Sequence, residues 1–225
     1  MTFTLMAAEL DDWGACEDGH VFEKGDLLAD FTGNTREVLT AERTAMNFVQ
    51  HLSGVATMTA AFTKKLNGMP CRVCDTRKTT PLLRQLEKAA VVHGGGFNHR
   101  HTLFNGILIK ENHVTAAGGV SRAIEKASDG THHLMRIAIE VRSLEEFDEA
   151  LEAGADVIML DNLDLDAMRE AKRRVGDRKV LLEASGNASL ERVLAMAETG
   201  VDVVSVGALT HSAPAVDMSL IIQNV

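Results

Sequence analysis

Cysteine is scarce: Cys16, Cys71 and Cys74 are the whole complement of the 225-residue chain. An odd, widely spaced set builds no disulfide framework, so a packed core in a reducing compartment is expected, which points to the cytoplasm. Long hydrophobic runs are missing too. No stretch reaches the roughly 18 apolar residues that span a bilayer, and Met1 to Leu10 lacks the basic flank and cleavage site of a signal peptide. Positive charge is in deficit, with 23 Lys and Arg against 32 Asp and Glu and a formal net charge of −9. That balance argues against nucleic acid or an anionic membrane as partner, because both require a basic stripe. What is present, 45% hydrophobic and 24% charged residues, suits one large α/β domain or one domain with a small companion.

The charge is unevenly spread. Between Pro70 and His113, seven cations (Arg72, Arg77, Lys78, Arg84, Lys88, Arg100, Lys110) stand against three acids (Asp75, Glu87, Glu111). An acidic chain with one basic segment suggests a small anionic ligand; a solvated helix face is the alternative reading.

Hydrophobic periodicity divides the chain near residue 70, into residues 1–69 and 70–225. Val21 to Phe31, with a Lys24-Gly25-Asp26 turn, reads as the end of a β-rich module. A helix is predicted from a capping start at Thr40 to about Phe62. Beyond residue 70, strand candidates Arg72–Asp75, Gly106–Lys110, Arg136–Val141, Asp156–Leu160, Lys179–Glu183 and Asp202–Val206 alternate with helix candidates Leu82–Val92, Val120–Ser128, Leu144–Ala153, Leu165–Val175 and Leu190–Thr199. Such βα repeats form either an open doubly wound sheet or a barrel. Chemically useful residues end every strand: Asp75 with Arg77, Lys110, Glu140, Asp161, Glu183 with Ser185, and Gly207. A barrel gathers all strand ends at one mouth, which favours it over an open sheet.

Three stretches stand out. Asp75 to Pro81 sets adjacent Arg77 and Lys78 among hydroxyls, a guanidinium fork for a carboxylate and an ammonium for a second anion. Gly94-Gly95-Gly96 lets the backbone approach a ligand closely and leads into His99-Arg100. Lys110 ends a strand before Glu111-Asn112-His113. Opposite them stand Glu140, Asp161 and Glu183, and the Ser185-Gly186-Asn187 and Gly207-Ala208 loops suit a phosphate on backbone N–H groups. Cations and acids around one cavity suit phosphoribosyl transfer, with its diphosphate, Mg²⁺ and oxocarbenium-like ribose; a network of buried ion pairs is the competing reading. Cys71-Arg72-Val73-Cys74 lacks a second pair and reads as two buried thiols. The histidines lack metal-site spacing.

In these residues the chain resembles the quinolinate phosphoribosyltransferase family. The resemblance runs through Glu42-Arg43-Thr44 with Asn47, Leu52 to Thr57, Asp75 to Pro81, Gly94 to Arg100, Leu108 to Val114, Ile139-Glu140-Val141, Met159 to Asn162, Leu182 to Gly186 and Ser205 to Ser212. It implies an incomplete, six- to seven-stranded α/β barrel after an N-terminal α/β sandwich, here shortened. It further implies a homodimer with shared active sites, and conversion of quinolinate and phosphoribosyl pyrophosphate to nicotinate mononucleotide, pyrophosphate and CO₂ in NAD biosynthesis, with Mg²⁺. By resemblance, Arg43 (donated across the dimer), Arg77, His99, Arg100 and Lys110 bind quinolinate. Lys78, Glu140 and Asp161 serve phosphoribosyl pyrophosphate, the two acids on its metal side, while Ser185, Gly186, Gly207 and His211 hold phosphate. Lys78, Lys110, Glu140 and Asp161 form the catalytic set. The chain departs from the family pattern at Leu82 (usually glycine), Ala89 (usually tyrosine), Asn105 and Glu111 (usually aspartate). A sister phosphoribosyltransferase of the molybdenum-transport-associated type, and a silent shortened homologue, are the alternatives.

Overall fold

A computed structural model describes residues 2–6 and 8–223. A single turn, α1 (Thr2–Leu5), precedes strands β1 (Leu10–Ala15) and β2 (Ala29–Gly33), which pair antiparallel with a register shift between Asp11 and Gly14. The expected Lys24-Gly25-Asp26 turn is present. Gly25 makes a turn there at φ +100°, closed by Glu23 N–H donating to the Asp26 carboxylate at 2.7 Å, but inside the loop between the strands. The first strand escaped notice because Leu-Asp-Asp-Trp-Gly-Ala is exposed at all but its first residue, leaving no apolar alternation.

Helix α2 (Thr35–Lys65) starts five residues before the expected Thr40. Asn34 caps it, its side-chain oxygen accepting from Arg36 N at 3.0 Å and Glu37 N at 3.4 Å. The Thr40 hydroxyl instead donates to Arg36 O within the helix. Val38, Ala41, Ala45, Val55 and Phe62 form its buried stripe.

The remaining strands are β3 (Arg72–Cys74), β4 (Ile107–Ile109), β5 (Ile137–Val141), β6 (Val157–Asp161), β7 (Leu181–Ser185) and β8 (Val203–Ser205). They make one six-stranded sheet in the order β3-β8-β7-β6-β5-β4, with every pair parallel. A single isolated parallel bridge joins Cys74 to Phe97. The edges β3 and β4 are not paired, so the barrel stays incomplete, as the resemblance implied. Helices α3 (Arg84–His93), α4 (Glu111–Ala117), α5 (Val120–Asp129), α6 (Leu144–Glu152), α7 (Leu165–Val175), α8 (Val193–Ala197) and α9 (Ala208–His211) fill the crossovers. The short α4 was not foreseen.

Alternation along each strand sorts the side chains. Val73, Ile139, Ile158, Leu160, Leu182 and Val204 are fully buried against the helices. The other face carries Glu140, Met159, Asp161, Glu183, Ser185 and Ser205. The last βα units share one device. Asp156 precedes β6 and its carboxylate accepts Ile137 N–H at 2.8 Å; Asp202 precedes β8 and accepts Leu182 N–H at 2.8 Å. Each therefore ties the start of its strand to the neighbour. β7 lies two residues later than expected because Lys179 and Val180 belong to its approach, which puts Ser185 opposite Asp161. Helix α8 likewise begins at Val193 rather than Leu190, after a turn.

Beyond α9 the extended tail crosses α2, where Val216 N–H donates to Gln50 O and the Gln50 amide to Met218 O. Gly54 permits the crossing, since a Cβ there would lie 2.0 Å from Pro214 O.

Candidate active site

Two loops at the C-terminal end of β3 carry most of the cations, and α3 holds both. Asp75 and Lys88 are fully buried and ion-paired. Lys88 Nζ also donates to His99 O at 2.9 Å, and His99 N–H donates to Asp75 Oδ1 at 2.8 Å. Asn98, with its amide turned to donate, reaches Asp75 Oδ2 at 2.6 Å. Asp75 therefore anchors the 97–101 loop rather than facing a ligand. One residue before Lys88, Glu87 is equally buried, bonded to His51 Nε2 at 2.8 Å and accepting Thr80 N–H at 3.0 Å.

The basic segment divides into two sets. Arg72 lies over the Phe97 ring at 4.5 Å, and Arg84 and Lys88 bond within the protein. Arg77, Lys78, Arg100 and Lys110 are the cations of the mouth, although Arg100 and Lys110 also have protein partners there. The triple glycine serves packing, not the close ligand approach expected of it. A Cβ on Gly94 would lie 2.4 Å from Ala56 O, and one on Gly96 would lie 2.7 Å from the Thr59 methyl.

His99 is the centre of the cationic side. Its Nδ1 accepts Arg100 N–H at 2.8 Å, which leaves the proton on Nε2, directed at Glu183 Oε2 3.7 Å away. Burial, then the charges of Lys88, Arg100, Lys110 and Arg77, push its pKa down to about 4. Glu183 is pushed up to about 7, mainly by burial; Oε1 has no hydrogen-bond partner. With the imidazole neutral above about pH 4, these two side chains do not form an ion pair. Glu183 stood among the strand-end acids of the sequence but received no role; its barrel-facing register is what singles it out.

Arg100 donates to Gly106 O at 2.7 Å, and Lys110 Nζ lies 2.5 Å from Glu140 Oε1. Glu111, at the start of α4, pairs with Arg142 at 2.6 Å on the exposed rim. Across the sheet, Asp161 is half-buried beside Ser185. Gly186, at φ +86°, lies so near Asn162 that a Cβ would sit 2.2 Å from its Oδ1. The Lys78 side chain packs beside Gly207, where a Cβ would be 3.3 Å from Lys78 Cδ and 3.1 Å from His211 Nε2. Lys78, Gly207 and His211 thus meet as one corner. Arg43 is exposed on α2, and among the described residues no hydrogen bond joins it to this mouth. Cys71 and Cys74 are free and buried, and burial pushes the Cys71 thiol up to about 11 and the Cys74 thiol well above its ordinary value, so both stay protonated.

The arrangement gathers cations and carboxylates at the C-terminal ends of the strands, with Lys110 against Glu140 and His99 near Glu183. Comparison with known proteins gives the same reading. Residues 55–221 match the quinolinate phosphoribosyl transferase C-terminal domain, and residues 4–53 match the N-terminal domain of that family. The chain is 43% identical over 204 residues to the probable nicotinate-nucleotide pyrophosphorylase (carboxylating) of Bacillus subtilis, covering 91% of this chain and 70% of the relative. It is 45% identical to the probable enzyme of that name from Methanocaldococcus jannaschii, covering 87% and 71% respectively. The crystal structure of NadC from Streptococcus pyogenes superposes with a TM-score of 0.89 at 42% identity, covering 96% of this chain and 76% of that one. The chain belongs to the quinolinate phosphoribosyltransferase family.

Proposed function

We propose that the chain transfers the phosphoribosyl group of phosphoribosyl pyrophosphate to quinolinate with decarboxylation, giving nicotinate mononucleotide, pyrophosphate and CO₂ for NAD synthesis. One observation carries this reading within the family. Arg77, Arg100 and Lys110 surround a neutral His99, with Glu140 and Asp161 on the opposing strands. No observation favours the transport-associated sister enzyme.

Arg77, Arg100 and Lys110 neutralise the two carboxylates of quinolinate, and His99 offers an uncharged Nε2–H. Burial pushes the pKa of Glu183 up to about 7, so its repulsion of the dianion weakens as pH falls through that value. Lys78, Gly207 and His211 form the corner for phosphate, with Ser185 and Gly186 beside it. Glu140 and Asp161 are hard oxygen donors of the kind that takes Mg²⁺ together with substrate phosphates. Among the described residues no three His, Cys, Asp or Glu side chains gather into a metal cage, and a cation carried in on the diphosphate needs only two. Bound Mg²⁺ supplies charge neutralisation for the departing pyrophosphate. The protein's task is positioning: the ring nitrogen attacks the anomeric carbon, the C–O bond to pyrophosphate breaks, and the carboxylates face the cationic ribose. The positive ring nitrogen then stabilises the electron pair left at C2 when CO₂ departs, and that carbon takes up a proton. No side-chain nucleophile takes part. Arg43, exposed and with no hydrogen bond to its own chain's mouth among the described residues, is assigned to the site of a second copy in a homodimer.

The test is turnover of quinolinate and phosphoribosyl pyrophosphate with Mg²⁺, following nicotinate mononucleotide. Arg77→Ala should reduce quinolinate kcat/KM by about 100-fold or more. Product formation unaffected by that change would refute the assignment of the carboxylate site.

A further inference from the structure

The inner face of α3 is charged where a barrel helix is normally apolar. Arg84, Glu87 and Lys88 share one face at i, i+3 and i+4, and the last two are fully buried. Their partners lie in the two ligand loops and on α2, not within α3. Arg84 is the widest bridge. Its Nε donates to Thr79 Oγ1 at 3.0 Å, its NH2 to Arg77 O at 3.3 Å, and its NH1 to His101 O at 3.1 Å. One guanidinium thus holds the loop of Arg77 against the loop of His99 and Arg100. The next residue, Lys78, has a separate anchor on the other side: buried Thr210 of α9 donates to Lys78 O at 2.8 Å.

We infer that Arg84 is a positioning residue for the dicarboxylate half of the site, and that Thr210 does the same for the phosphate half. The inference rests on the proposed reaction. Arg84 touches no substrate; it sets the spacing between the cations that do. A lysine cannot replace it, because a single ammonium on a flexible stem does not serve three acceptors spread around a planar fork. The adjacent pair Arg77-Lys78 is therefore fixed from two sides by two elements. Each anchor governs a different substrate.

Steady-state kinetics on the full chain, varying each substrate separately, reads this out. Arg84→Met should lower kcat/KM for quinolinate about 10- to 100-fold, a cost typical of an ångström-scale misplacement, while KM for phosphoribosyl pyrophosphate changes by less than about twofold. Arg84→Lys, which keeps stem and charge, should lose quinolinate kcat/KM in the same direction, and it carries the measurement if the methionine variant does not fold. Thr210→Val should show the reverse, with the loss confined to phosphoribosyl pyrophosphate. Equal losses toward both substrates in both variants would mean general destabilisation and overturn the inference, as would unchanged quinolinate kinetics in the Arg84 variants. A wild-type chain that makes no nicotinate mononucleotide would overturn the reaction itself.

Discussion

At the residue scale, Glu183 and His99 show how burial decides charge where formal counting does not. Each is the ionisable group that the site would be expected to charge, and burial shifts each toward its neutral form. The consequence is a stability that depends on pH in two opposing ways. Glu183 has a folded pKa of about 7 against an ordinary 4.5. Below about pH 4.5 both folded and unfolded chains hold that proton; between 4.5 and 7 only the folded chain does, so stability falls as pH rises through this window. His99, at about 4 against 6.5, acts the other way, and its contribution is lost as pH falls from 6.5 toward 4. Glu183→Gln removes only the first effect. Urea unfolding should show the variant gaining about 2–3 kcal/mol on wild type between pH 5 and pH 8. A difference that stays flat over that range would mean that Glu183 is charged throughout.

At the scale of elements, α3 and the turn entering it organise the site more than any single strand does. The helix exchanges an apolar inner face for Arg84, Glu87 and Lys88, and so fixes two loops that are 20 or more residues apart in sequence, as Lys88 does by bonding both Asp75 and His99. The turn before it carries strain. Leu82 has φ +67° and is fully exposed, so a branched side chain sits in the left-handed region with nothing to pack against. Glycine, the residue expected there from the family pattern, would avoid the steric cost. Leu82→Gly should therefore stabilise the fold by about 0.5–1 kcal/mol after the entropy of the unfolded glycine is allowed for. Chemical denaturation checks it, and a loss of stability would show that the leucine is held by a contact outside this chain. Glu111, another departure, keeps its charge on the rim in a pair with Arg142.

On the scale of the whole molecule, the barrel gathers its own cations and acids but not Arg43. The proposed homodimer supplies that residue from a partner, and this is open to a direct test. Arg43→Ala and Arg77→Ala should each be nearly inactive alone. Mixed and allowed to exchange subunits, they should recover roughly a quarter of wild-type sites, because half the dimers are hybrids and each hybrid has one intact site. No recovery after demonstrated exchange would place Arg43 in the site of its own chain or outside any site. No described helix is long and apolar enough to cross a membrane.

Much of this was legible in the amino-acid order. Alternating short β-branched runs and amphipathic stretches determined the βα repeat, because periodicities of 2 and 3.6 are set by backbone geometry alone. Residues at the ends of those runs named Arg77, Lys110, Glu140 and Asp161 as companions, since a parallel barrel brings strand ends together, while His99 was marked by the glycine stretch before it. Tertiary structure decided what each charge does. Asp75, Arg84 and Lys88 resemble ligand residues by type and place, yet they are bonded inward by a helix whose facing cannot be read from its own composition. The glycines after Val91 are small because α2 lies against them, and the first strand became a strand by pairing with β2, not by any pattern of its own. Local order fixes period and direction; only packing fixes which face is buried, and with it which polar groups must find partners inside the protein.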